Sequence, residues 1–299
     1  MRWLVFVLAL VAISLVVFAC YPAPNASPTE VVEVIIPWDF DSARAMDDLE
    51  YQVSLGPRIP GSEAHARLIE WVMEELDKYG WDTHLQEGVY QGKTIRNIIA
   101  KRGEGSPWII LGAHYDSRLL ADNDPDPENR ETPVPGGNDG ASGVAVLMEI
   151  GRVLPAELDK TIWIVFFDAE DNGRILDWDW ILGSRYFVES LEGLPDAAVI
   201  VDMVGDSELT IYQERNSDEE LVNQIWRLAT DLGYSQFIPT YKHRILDDHV
   251  PFLEAGIPAV DIIDIEYPYY HTTQDTADKN SVSSLQAVGD TVLAWLKQP

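Results

Sequence analysis

The stretch IVFFDAEDNG, Ile164 to Gly173, begins as an apolar strand and ends in three acids within four positions, Asp168, Glu170 and Asp171. An unpaired carboxylate placed in a core costs several kcal/mol by rough estimate, so such a cluster needs cations, protons or water as company. Other stretches bring groups of matching chemistry. GAHYDS carries His114 and Asp116, PGGNDGASG carries Asp139, AAVIVDMVGD carries Asp202, and YPYYHTTQDTADK carries His271. Carboxylates and imidazoles drawn from five segments are the ingredients of a metal centre. Oxygen and nitrogen donors without a thiolate suit zinc best among several ions.

These residues converge only if the elements carrying them do. PWIILGAHYD, TIWIVFFDAE, AAVIVDMVGD and PAVDIIDIE are short apolar runs rich in Ile and Val, the pattern of strands buried on both faces. GSEAHARLIEWVMEELDKYG places Leu68, Ile69, Val72, Met73 and Leu76 on one helical face, with Gly80 positioned to stop the helix. Further helical patterns run through GASGVAVLMEIGRVL, SDEELVNQIWRLATDLG and the closing SVSSLQAVGDTVLAWLKQ. From about Trp38 to the end, strands and helices alternate without a second linker, which predicts one α/β sandwich around a mostly parallel sheet. In such a sheet ligands bind beyond the carboxyl ends of the strands, where these polar residues fall.

The 299 residues, 46% hydrophobic, suffice for a sizeable core. Fifty acids face 21 bases, giving a formal charge of −29, and that field repels nucleic acid and anionic surfaces. It attracts a cationic substrate group such as a peptide's free ammonium, and it also keeps a protein soluble. Residues 1–20 combine one basic residue, a long apolar run and the lone Cys20. They read as an export signal, with VFAC similar to a bacterial lipoprotein signal that leaves Cys20 as the lipidated first residue of an envelope protein. An uncleaved membrane anchor is the other reading, and both tether the catalytic domain, 38–299, outside the cytoplasm. Residues 20–37, with YPAPNASPTE, form the spacer. With one cysteine, no disulfide forms within the chain.

GAHYDS, NDGASG, FFDAEDNG, VDMVGD and YYHTTQDTADK fall in the order found in the zinc aminopeptidases of peptidase family M28, and the chain resembles that family from about LGPRIPGSEAH to the final helix. The resemblance implies a phosphorylase/hydrolase-like three-layer α/β sandwich. It also implies two zinc ions bridged by Asp139, one held also by His114 and Asp202, the other by Asp171 and His271. Glu170 falls on the general base, and Asp116 supports His114. The animal-type glutaminyl cyclases, one-zinc relatives within that clan, are similar in two respects. A Trp-containing insert separates the acidic pair from GSR, and Asp247 of DDHVPF stands where many aminopeptidases have serine. Two other positions depart from them: Asp171 replaces their glutamate, and Tyr270 precedes the ligand histidine where they favour tryptophan.

In a hydrolase of this kind the metal polarises the scissile carbonyl and acidifies water, while Glu170 moves the proton from water to the leaving amine. In a cyclase Glu170 deprotonates the substrate's own amine, which attacks the Gln side-chain amide and expels ammonia, with Asp202 and Asp247 completing an acid network. The first expectation is a zinc-dependent aminopeptidase acting on peptides or proteins with a free N-terminus. The alternative is a glutaminyl cyclase; a non-catalytic binding module comes third, since the ligand set and the base are both present. His65, His84 and His243 read as surface or satisfied hydrogen-bonding groups. His249 reads as a helix cap or a pin for the site wall. Trp178 and Trp180 read as lining the substrate mouth or as core, and ADNDPDPENRET as a mobile acidic rim that matches a calcium loop only loosely. For the amino terminus, Cys20→Ser should block processing after Ala19 and leave an unprocessed precursor on a blot of the membrane fraction. A mature chain free in the medium with an unmodified amino terminus would contradict lipidation.

Overall fold

The computed structural model describes residues 38–298. The signal-like segment 1–19 and the spacer 20–37 lie outside the described residues. Within them the strands are β1 (Asp82–Tyr90), β2 (Lys93–Arg102), β3 (Trp108–His114), β4 (Thr161–Phe167), β5 (Ala197–Asp202), β6 (Ile211–Gln213), β7 (Phe237–Tyr241) and β8 (Ala259–Ile263). The helices are α1 (Ser42–Ser54), α2 (Glu63–Lys78), α3 (Ala141–Val153), α4 (Leu182–Glu189), α5 (Glu219–Leu232), α6 (Val250–Glu254) and α7 (Val282–Leu296).

Six strands form one mixed sheet in the order β1-β2-β4-β3-β5-β8, and β6 pairs with β7 separately. β3 runs parallel to both β4 and β5, and β5 runs parallel to β8. All six positions of β5 and all five of β8 are buried, which is why their sequences show no alternation. One face packs Leu111, Ile164, Val199 and Val260 against α1, α2, α3, α5 and α7, and the other packs Ile110, Val165, Ile200 and Ala259 against Phe187 of α4 and Phe252 of α6. This is the expected three-layer α/β sandwich, with helices on both faces of a mostly parallel sheet.

The chain leaves β3 for β4 on one side and then crosses to β5 on the other. The crevice where such an order reverses opens at the end of β3, and β3 ends in His114. The helix expected from GSEAHARLIEWVMEELDKYG is α2, capped by Ser62 and closed by Gly80 at φ +80° with Trp81 N–H bonding back to the Leu76 carbonyl. The β1–β2 hairpin is not among the apolar runs of the sequence, because β1 is an edge strand with few buried positions. Its turn is Gln91-Gly92, both at positive φ, a two-residue connection matching the strand twist. Among the described residues no helix is long and apolar enough to cross a membrane.

α3 lies so close to the sheet that a Cβ on Gly143 would stand 2.2 Å from the Val201 carbonyl oxygen and 3.1 Å from Cβ of Ala113. Gly143→Ala should therefore lower the unfolding free energy by roughly 1–3 kcal/mol, the usual effect of overpacking. It should be read from the urea midpoint at unchanged slope. A midpoint equal to the parent's would show that α3 moves off β5 freely.

Candidate metal centre and substrate pocket

Each chemical residue stands where a regular element stops. His114 closes β3, Asp202 closes β5, and Glu170 and Asp171 follow β4 by a few residues. Asp139 lies just before α3, and His271 lies in the loop after β8. Three of these turns contain a non-glycine residue in the left-handed region: Ala169 at φ +54°, Met203 at +46° and His271 itself at +58°. Such conformations are uncommon and persist where surrounding contacts over-determine them, as at functional sites. Gly140 opens α3 against the His114 ring, where a Cβ would lie 2.7 Å from Cε1.

Two groups of donors result, sharing Asp139. In the first, His114 Nε2 lies 3.1 Å from both Asp139 Oδ1 and Asp202 Oδ1. In the second, His271 Nε2 lies 2.8 Å from Asp171 Oδ1 and 3.6 Å from Asp139 Oδ2. Within each group the ligand atoms lie within 4.8 Å of one another, and every member is buried. The second oxygens of Asp139 and Asp171 have no hydrogen-bond partner although both are buried. Desolvated acceptors without donors are the mark of a cation site, and two imidazoles with three carboxylates are a donor set that fits zinc.

Main-chain and neutral donors hold these acids in place. Asp116 accepts from the N–H groups of Glu170 (3.0 Å) and Asp171 (3.3 Å) and from Asn172 Nδ2 (3.1 Å), and it faces His114 Nδ1 at 3.5 Å. Asp275 accepts from the N–H groups of Asn138 (2.7 Å) and Asp139 (3.2 Å) and from the Tyr267 hydroxyl (2.8 Å). Arg118 donates to the Asp171 carbonyl at 2.5 Å and lies 4.8 Å over the Trp180 ring, which in turn stacks on His271. Neither Asp275 nor Arg118 stands out in the sequence as a site residue. Their signal was proximity alone, since Asp275 lies four residues after His271 and Arg118 follows GAHYDS directly.

The charges repel one another. Burial, with Asp171, Asp247 and Asp248 nearby, drives the Glu170 carboxyl well above its ordinary range against the opposing pull of His114. Burial and Asp139 push Asp171 up to about 6, and burial with Asp247 and Asp139 pushes Asp202 up to about 7. Asp139 goes the other way: burial opposes its charge, but the hydrogen bond and charge of His114, then His271 and Arg118, keep it below the ordinary carboxylate value.

A pocket of about 230 Å³ opens over this group. It is lined by the acids Asp139, Glu170, Asp171, Asp202 and Asp247, by the apolar Met203, Ile245, Leu246, Ile263 and Ile265, and by Trp180, Tyr270 and Arg174. Trp178 does not line it; this tryptophan packs with Ile95, Ala169 and Leu182 and lies beneath Lys93. Trp180 takes the wall position instead. His249 starts α6 without a side-chain cap bond and is buried between Glu214 (3.3 Å) and Asp261 (3.6 Å), behind Asp247. Asp168 belongs to neither donor group, since it accepts from His65 Nε2 and the Arg96 N–H. His65 thus bonds through Nε2 while its buried Nδ1 has no partner, and His243 pairs with Glu266.

Residues 97–296 match peptidase family M28, a span that includes His114, Asp139, Asp171, Asp202 and His271. The chain belongs to this family. Aminopeptidase YwaD of Bacillus subtilis is 30% identical over 69% of this chain and 45% of that protein, so this chain spans under half of YwaD. Two solved structures are alike at nearly full length. A Zn-dependent exopeptidase from Parabacteroides distasonis has a TM-score of 0.82 at 33% identity, covering 87% of this chain and 99% of that one. The glutaminyl cyclase of Porphyromonas gingivalis has a TM-score of 0.81 at 33% identity, covering 86% and 98%. The solved structures similar to this chain thus include both a Zn-dependent exopeptidase and a glutaminyl cyclase.

The raised carboxyls make a prediction for metal and pH. Asp171 and Asp202 titrate near 6 and 7 in the metal-free fold, against about 4 in an unfolded chain. Protonation thus favours the fold below about pH 4, and this contribution is lost as pH rises through 6–7. A zinc ion held by these carboxylates would bind their ionised forms and displace those protons. The rise in melting temperature on adding zinc should be larger at pH 8 than at pH 5, measured by calorimetry. An equal rise at both would show that these carboxylates do not hold the ion.

Proposed function

We propose that this M28 enzyme is a zinc-dependent glutaminyl cyclase, converting the N-terminal glutamine of peptides and proteins to pyroglutamate with loss of ammonia. We place its work outside the cytoplasm, where its amino-terminal segment tethers it. The observation that carries the reading is Asp247, a buried carboxylate in the pocket wall beside Glu170 and Asp202. A hydrolase of this type needs one base, Glu170. A pocket with two further acids, one of them near pH 7 in its titration, is equipped to pass a proton from one nitrogen to another.

Asp139, Asp171 and His271 would hold the zinc, which supplies Lewis-acid polarisation of the substrate's side-chain carbonyl. The protein's own groups do the rest. The apolar wall of Ile245, Leu246, Ile263 and Ile265 receives the methylenes of one side chain, and the pocket's volume admits little more. The acidic side draws the substrate's ammonium. Glu170 removes a proton from it; the freed amine forms a bond to the side-chain amide carbon, and the bond from that carbon to the amide nitrogen breaks. On bonding, the attacking nitrogen gives up a second proton, and through Glu170, Asp202 and Asp247 both protons reach the departing nitrogen, which leaves as ammonia carrying the extra proton.

One observation favours the aminopeptidase reading instead: His114, Asp139 and Asp202 are a second buried donor group, able to take a second ion. The two readings part on a peptide beginning Gln-Leu beside one beginning Leu-Leu, followed by mass spectrometry with zinc present. Ammonia loss from the first and no reaction of the second is expected; release of the first residue from Leu-Leu would establish the aminopeptidase. Glu170→Gln should slow turnover by roughly 10²–10⁴-fold with zinc retained. Asp247→Ala should slow cyclisation by roughly 10²-fold with zinc retained.

A further inference from the structure

The acidic stretch Ala121–Thr132 plays no part in the chemistry above, and its sequence reads as a mobile rim. The structure corrects that reading at its centre. Asp124 is 1% exposed and all its acceptor capacity is taken by protein donors. Its Oδ2 accepts from Thr273 N–H (2.9 Å) and Thr273 Oγ1 (2.5 Å), and its Oδ1 accepts from Asp126 N–H (3.0 Å) and Asn129 Nδ2 (3.3 Å). So engaged, it has no oxygen to offer a calcium ion.

The two preceding residues grip the same turn. Asn123 donates its N–H to the His271 carbonyl at 3.2 Å and its side-chain amide to the Tyr270 carbonyl at 3.4 Å. Asp122, held by both arms of Arg118, sets Oδ1 3.8 Å from His271 Nδ1. Asp122 and Asn123 thus hold the ring and main chain of a histidine that sits at φ +58°, and Asp124 holds Thr273 two residues further on. A β-carbon disfavours that conformation, and without these bonds the turn would relax and swing the ring away from Asp171.

We propose that Asp124 is a positioning residue for the metal: by clamping Thr273 it keeps His271 in the left-handed turn that aims Nε2 at Asp139 and Asp171. This rests on His271 serving as a zinc ligand. Only a carboxylate fits the role, since both oxygens accept; an asparagine would turn its NH₂ toward one pair of donors.

The test is zinc affinity of the full chain, measured by competition with a chromophoric chelator, beside the melting temperature of the zinc-free protein. Asp124→Asn should weaken zinc binding about tenfold, the lower end of what loss of an outer partner does to a metal site. Thr273→Val, which removes one donor, should do the same to a smaller extent, and Thr273→Ser should restore the parent affinity. Asp126→Asn, an exposed acid in the same loop, should change nothing. Parent-like zinc affinity in Asp124→Asn, with or without a lower zinc-free melting temperature, would overturn the proposal and leave Asp124 a purely structural residue. If Asp124→Asn does not fold, parent-like affinity in Thr273→Val overturns it equally. His271→Ala separates the two layers: parent-like affinity there would remove His271 as a ligand, and this proposal with it.

Discussion

Asp139, Glu170, Asp171, Asp202 and Asp247 stand around one small pocket with His114 and His271, largely out of water, and their mutual repulsion is the condition the surrounding structure has to withstand. Burial first, and after it the repulsion of neighbouring carboxylates, pushes Glu170, Asp171 and Asp202 above the ordinary carboxylate range. A fold that lines up these acids gains a place for a divalent cation and a place to store protons. Both readings of the chemistry draw on that same property.

The structure tolerates the cluster by supplying dipoles more than opposing charges. Asp116 and Asp275 are each buried and each gather main-chain N–H groups from the loops that present Glu170, Asp171 and Asp139. Their negative charge therefore fixes backbone, which fixes ligands. Arg118 is a cation close to the group, and it spends its guanidinium on the Asp171 carbonyl, on Asp122 and on the face of Trp180. Left-handed turns at Ala169, Met203 and His271 are the geometric counterpart, since each bends the chain sharply at the strand end or loop where a functional side chain must point inward.

The division of labour within the pocket follows from where each acid lies. Asp139 is favoured as an anion because both imidazoles and Arg118 act on it. Asp202 and Glu170 stand nearer Asp247 and hold protons more readily. The carboxyl end of the sheet thus offers an anionic acceptor beside groups that hold protons, in a pocket that also has apolar lining.

Much of this molecule could be read from its sequence. The buried strands β3, β4, β5 and β8 declare themselves as unbroken Ile- and Val-rich runs because both faces of a parallel sheet are covered, and α2, α3, α5 and α7 because their apolar residues recur with helical spacing. Donor types are legible as well, since His114, Asp139, Glu170, Asp171, Asp202 and His271 end or follow such runs. Other features are decided only in three dimensions. The hairpin β1–β2 hides because an edge strand has little apolar signal, and Asp124 looks like part of a solvated rim until Thr273 is seen to cover it. Trp178 and Trp180 are equal in sequence, yet one packs into the insert's own cluster and the other stacks on His271. Local sequence determines periodicity and chemical type; which side chain faces the pocket depends on backbone turns and on partners a hundred residues away, and those exist only once the sheet has assembled.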